Sequence, residues 1–162
     1  MARSAAHLAS VCLPLALTVG AAVAGGTEPS RSEYVTRLEI ICKPRSLATT
    51  RAVRGTRADV QAERFGAAAA RFAKARRIFA GTVRTIKQEP RPAADRAALS
   101  RWFTALDREI VYLDRSIAAL RAEDLPQFQR ASAQFFRQGS KSNNIVISFE
   151  FDYCAFKSSR YE

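Results

Sequence analysis

The sequence predicts an all-α protein, an up-down-up-down four-helix bundle whose first and last helices are joined by a disulfide. Three observations carry that reading. Apolar residues recur at three- and four-residue spacing through four separate segments. The connections between the segments are short and marked by proline, glycine or capping residues, which makes neighbouring helices antiparallel. Two cysteines, Cys42 and Cys154, fall near opposite ends of the segmented part. In such a bundle the start of the first helix and the end of the last lie at the same end, so these two can meet.

Size and composition agree. The chain has 162 residues, 48% apolar and 25% charged, one globular domain's worth (32–162) with room for a real core. Met1 to Ala24 reads as a secretory signal peptide. Arg3 and His7 start it, Leu8 to Val19 is an apolar run too short to span a bilayer as a helix, and Ala22-Val23-Ala24 offers small residues for cleavage. The mature chain is expected to begin at Gly25, secreted or outside the cytoplasmic membrane; an uncleaved segment would make it an anchored protein instead. An exported chain left with two cysteines favours a disulfide. Cleavage also removes His7 and Met1, the only histidine and the only methionine. Histidine triads, histidine metal ligands and histidine or methionine haem ligands are thereby excluded, and neither a catalytic constellation nor a cofactor or metal is expected.

Residues 25–31 form a short polar leader. The first helix starts near Ser32, with Tyr34, Leu38, Ile41 and Cys42 on one stripe. Pro44 is expected to kink or interrupt it, and the pattern resumes weakly through Leu47 and Val53 to Gly55. Thr56 and Asp59 resemble a capping box opening a second helix, whose Phe65, Phe72, Phe79 and Ile86 recur every seven residues. Glu89-Pro90-Arg91-Pro92 ends it. A third helix from about Ala94 to Ala122 carries Leu99, Trp102, Phe103, Leu106, Ile110, Leu113, Ile117 and Leu120. Asp107 and Asp114 sit among arginines on its polar face and read as solvated surface. Asp124 caps a fourth helix with Pro126 in its first turn. Phe128, Ala131, Phe135, Ser142, Ile145 and Phe149 continue its seam, weakened at Gly139. From Ile145 to Tyr153 the residues alternate as in a half-buried strand, but no segment offers a partner, so helix is the expectation.

The charge is lopsided. The whole chain is +11 at neutral pH with a pI near 10.4, and 21 of its 26 basic residues are arginine. A GC-rich genome writes arginine freely, but would spread it evenly. Here 12 basic residues face only Asp59 and Glu63 between Lys43 and Lys87. Arg57, Arg64, Arg71, Lys74, Arg77 and Arg84 are the candidate polyanion-binding residues of this basic hairpin. For an exported protein the expected partners are anionic envelope polymers or lipid headgroups. Nucleic acid is disfavoured, because the interleaved aromatics lie at core spacing and offer no stacking platform.

Tyr34-Val35 with Ile41-Cys42-Lys43, Trp102, and Asn143-Asn144 leading to Phe151-Asp152-Tyr153-Cys154 and Phe156 resemble exported helical proteins of GC-rich Gram-positive bacteria. The resemblance implies the helical fold and the cysteine pairing, and brings no activity. Asn143 and Asn144 read as capping or hydrogen-bonding within a helix interface, with a ligand site as the rival. Two functions fit the residues. One is a non-enzymatic envelope-binding or scaffolding domain that uses the basic hairpin. The other is a carrier of a small apolar ligand, in a pocket lined by Trp102, Phe128, Phe135 and Phe149 with Tyr34, Tyr112 or Tyr153 as a polar contact.

Overall fold

The computed structural model describes residues 28–157 and 159. The predicted signal peptide lies outside the described residues. Helix α1 spans Arg31–Val53, α2 Thr56–Gln61, α3 Phe65–Ile86, α4 Arg96–Arg121 and α5 Leu125–Ile145. The four long helices pack into an all-α bundle: α1 lies along α3, α3 along α4, and α4 along α5. The first and last helices share almost no backbone contact, and the C-terminal segment after α5 crosses that gap.

Local chemistry sets the boundaries. α1 starts two residues after Glu28-Pro29, at a capping box in which Ser30 Oγ accepts from the Glu33 amide and Glu33 accepts from the Ser30 amide at 2.7 Å. The expected interruption at Pro44 does not occur, and α1 runs through it. The missing N–H strips the partner from the Ile40 carbonyl, and Ile40 is 70% exposed, so that carbonyl lies on the solvent side. Gly55, at φ +82, turns the chain into α2.

The second predicted helix is two. Thr56 donates to the Val53 carbonyl at 2.6 Å instead of capping, and Asp59 is buried beneath two arginines. The Arg64 amide bonds the Asp59 carbonyl at 2.8 Å and the Glu63 amide bonds Val60 at 3.1 Å, with Glu63 at φ +55. This is a Schellman stop that ends α2. The same closure ends α4, where Glu123 has φ +57 and the Asp124 amide reaches the Ala119 carbonyl at 2.9 Å. Asp124 then caps α5 as expected, accepting from the Gln127 amide.

Beyond Ile145 the helix expectation fails. A single 3-10 turn over Ile147–Phe149 and a left-handed Glu150 lead into irregular chain, and the strand alternative fails as well. The backbone donors there find a side chain. One oxygen of Glu39, on α1, accepts from the amides of Asp152 at 2.8 Å, Tyr153 at 3.0 Å and Cys154 at 3.3 Å. Irregular geometry lets Val146, Phe149 and Phe151 all be buried, which a regular helix or a two-sided strand would not. Phe151 stacks between Trp102 at 5.3 Å and Phe149 at 5.4 Å.

The Cys42–Cys154 disulfide closes this arrangement, with Cα atoms 5.2 Å apart. Two packed clusters result. One joins Tyr34, Leu38, Ile86, Leu99 and Trp102 to the C-terminal aromatics. The other, at the opposite end, gathers Ala68, Ala69 and Leu120 with Phe65, Phe72 and Phe128. Asp107 and Asp114 are half exposed, but they are not merely solvated: they pair with Lys87 and Arg76 and stitch α3 to α4. Such exposed pairs contribute about 0–1 kcal/mol each.

The disulfide spans 112 positions, and loop-closure entropy assigns it about 4–5 kcal/mol. Replacing Cys42 and Cys154 together by Ala should lower urea-unfolding stability by that order, with reductant reproducing the loss in the wild type. Unchanged stability would show that Glu39 and the aromatic stack hold the segment alone.

A hollow bundle interior and a basic face

Between the two packed clusters the bundle interior is unfilled. A cavity of about 640 Å³ is bounded by all four long helices, α2 and the C-terminal segment. Its cause is legible in α1. After Cys42, Arg45 is tied across to α3, and the other inward positions are the small Ser46, Thr49, Thr50 and Val53, while Leu47 turns outward, 42% exposed. These side chains are too small to fill the space that α3, α4 and α5 leave. Aromatic walls come from Phe72 and Phe79 of α3 and from Phe128 and Phe135 of α5.

The hydroxyls on the wall are mostly spent on their own helices. Thr49 donates to the Arg45 carbonyl, Thr50 to Ser46, Thr82 to Ile78 and Ser116 to Tyr112, at 2.9–3.1 Å. These hydroxyls therefore offer the cavity few free donors. Ser132 Oγ is fully buried with no partner among the described residues.

One acid lines the cavity among the described residues. Glu109 is 2% exposed, and burial raises its carboxyl to about pH 7, against the opposing hydrogen bond from Ser142. The Ser142 hydroxyl lies within reach of Glu109 Oε1 and also of the Gln138 carbonyl at 3.0 Å. A hydroxyl has one proton. Both contacts become hydrogen bonds when Glu109 is protonated, donating to Ser142 while Ser142 donates to Gln138. Glu109 was missed in the sequence, although it sits at seam spacing between Leu106 and Leu113.

The roof over one end is the C-terminal segment. Asn143 grips the Phe156 backbone through both amide atoms, accepting from its N–H at 2.8 Å and donating to its carbonyl at 2.5 Å. It is thus a tie to another segment and not a bond within a helix interface. Gly139 is no weak spot: a Cβ there would come within 2.8 Å of the Phe156 ring. Phe156 packs edge-on against Phe135 and Phe136.

The predicted pocket residues divide. Phe128 and Phe135 line the cavity, whereas Trp102 and Phe149 lie in the solid aromatic core that the C-terminal segment completes. They stack on Phe151, so their burial is already complete. Of the tyrosines, Tyr153 joins the roof; Tyr34 is buried in the core, where desolvation pushes its phenol to about 12, and Tyr112 faces Arg115.

The basic candidates divide as well. Arg64 and Arg71 both bond Asp59, holding its carboxyl below the usual carboxylate range, and Arg71 also donates to the Arg54 carbonyl at 2.7 Å. They are structural. Arg57 is exposed and lines the cavity beside Arg54, which the sequence did not single out. Lys74, Arg77 and Arg84 form an exposed row on α3 and make no ion pair among the described residues. Among those residues no three histidine, cysteine, aspartate or glutamate side chains gather as a metal site.

A carboxyl raised from 4.5 to about 7 binds its proton more tightly in the folded state. Its stabilising contribution is full below the unfolded value and is lost as pH rises through about 7, on the order of 3 kcal/mol in all. Asp59 acts with the opposite sign and at lower pH, so it does not mask this window. Urea unfolding should show wild-type stability falling between pH ~5 and ~8, and Glu109→Gln should flatten that fall. Equal pH profiles would mean that Glu109 is solvated.

No protein-family model, no curated protein and no solved structure matches this chain.

Proposed function

We propose that this chain is an exported, non-enzymatic carrier that holds a small apolar ligand in the bundle interior. The observation that carries the proposal is the unfilled apolar space of about 640 Å³ between two well-packed ends. Protein interiors are otherwise close-packed, with few voids larger than a water molecule. Small-molecule sites occupy about 300–1,000 Å³ with mostly apolar walls and a few placed polar groups. Phe72, Phe79, Phe128 and Phe135 supply the walls; Glu109 and Ser132 supply the polar groups.

Export is supported by the signal-peptide pattern of residues 1–24 and by the disulfide, which belongs to oxidising compartments. No described helix is long and apolar enough to cross a membrane. A second reading, attachment to anionic envelope polymer or lipid headgroups, is favoured by the row of Lys74, Arg77 and Arg84. The two are compatible, since the row lies on the outside of α3 and the cavity on the inside.

Native mass spectrometry of the protein recovered from its exported fraction tests the carrier reading. The expected result is a chain starting at Gly25, two hydrogens lighter than the reduced form, with an adduct that vanishes on denaturation. A clean spectrum, together with no uptake of a neutral fluorescent probe such as N-phenyl-1-naphthylamine, would sink it. For the second reading, reversing Lys74, Arg77 and Arg84 to Glu should abolish salt-sensitive binding to anionic vesicles. Unchanged binding would remove the electrostatic role. Arg64 and Arg71 are unsuitable for that test, because their loss would bare the buried Asp59.

A further inference from the structure

We propose that the ligand of this cavity is a single-chain amphiphile with an anionic head of carboxylate or phosphate type, its chain inside the bundle and its head on Arg54 and Arg57. The inference rests on the carrier reading and adds the chemistry of the occupant.

Arg54 and Arg57 flank the turn between α1 and α2. Both are exposed, and both line the cavity, so they stand where it meets solvent. Neither has an acidic partner among the described residues. The nearby acid of α2, Asp59, is already claimed by Arg64 and Arg71. A third cation on the wall, Arg45, is tethered deeper by bonds to Thr85 at 2.7 Å and to the Gly81 carbonyl at 3.3 Å. Against these three guanidinium groups the wall carries one carboxyl, Glu109, 2% exposed, which burial keeps neutral in mildly acidic solution.

The cavity is thus charge-asymmetric: an apolar interior with an unpaired cationic rim. A wholly apolar ligand would use the interior and leave the arginines to water. A cationic amphiphile would be repelled at the rim. An anionic head forms charge-assisted hydrogen bonds with planar guanidinium groups, which favour carboxylate and phosphate. Phe72 and Phe128, nearer this end, would then flank the first part of the chain.

The test is competition against N-phenyl-1-naphthylamine bound to the protein at pH ~6, using dodecanoate, dodecyl phosphate, dodecanol and dodecylamine at submicellar concentration. Dodecylamine should displace the probe least. The affinity ratio of each anion to dodecanol should fall roughly tenfold in the Arg54→Ser, Arg57→Ser double variant, the loss of about one exposed charge-assisted hydrogen bond. Rising salt should lower the same ratio in the wild type. The Lys74→Ser, Arg84→Ser variant, altered on the outer row, should keep the wild-type ratio. An unchanged ratio in the Arg54, Arg57 variant, or a ratio insensitive to salt, overturns the head-group assignment while the carrier reading stands. If dodecanol and the anions all fail to displace the bound probe, the single-chain amphiphile is overturned while the carrier reading stands. If the probe itself does not bind and the native spectrum is clean, the carrier reading falls and takes this inference with it.

Discussion

The irregular segment after α5 has to be held against the bundle, and three ties do so from two helices. Cys42 on α1 binds it covalently, the Glu39 carboxylate on the same helix takes three of its amides, and Asn143 on α5 grips the Phe156 backbone. Much else depends on that hold. Phe149 and Phe151 complete the aromatic core around Trp102, and Tyr153 to Phe156 roof the cavity. Because α1 and α5 barely meet, the segment is also what joins the two edges of the bundle. A covalent tie suits a connection that carries so little regular secondary structure of its own.

The hollow interior is a choice of side-chain size made mainly on one helix. α3, α4 and α5 bring aromatic and aliphatic residues inward, while α1, apart from Arg45 tied to α3, answers with serine, threonine and a single valine. An unfilled space forfeits dispersion contacts, and each missing side chain would ordinarily cost stability. A buried carboxyl at the wall adds a further cost above neutral pH. Both features oppose stability and both belong to one cavity, a pattern expected where function constrains a core.

Charge is divided by role. Arg64 and Arg71 serve the fold through Asp59, Arg31 pairs with Asp95 at 2.5 Å, and Arg76 and Lys87 link α3 to α4. Within the basic hairpin, the row of Lys74, Arg77 and Arg84 on α3 and the rim residues Arg54 and Arg57 are exposed and make no ion pair among the described residues. Net charge in a window of sequence cannot make that division, because pairing depends on which acids the fold carries to each arginine.

Periodic apolar stripes and short capped connections determined the four long helices, since a helix buries a stripe spaced at three and four residues wherever it packs. The same pattern and the antiparallel order brought Cys42 to Cys154. Tertiary structure decided three things. It stopped α2 at Glu63, a left-handed residue that no glycine announces, with the Asp59 side chain held down by Arg64 and Arg71. It gave Ile145 to Tyr153 neither period, because donors that a strand would have paired were met by Glu39, remote in sequence. And it left Glu109 and the rim arginines around a cavity that side chains do not fill, with Trp102 and Phe149 in solid core instead. Filling and emptiness are properties of how side chains from several helices meet, and a stripe on one helix specifies the side it buries without specifying what it meets there.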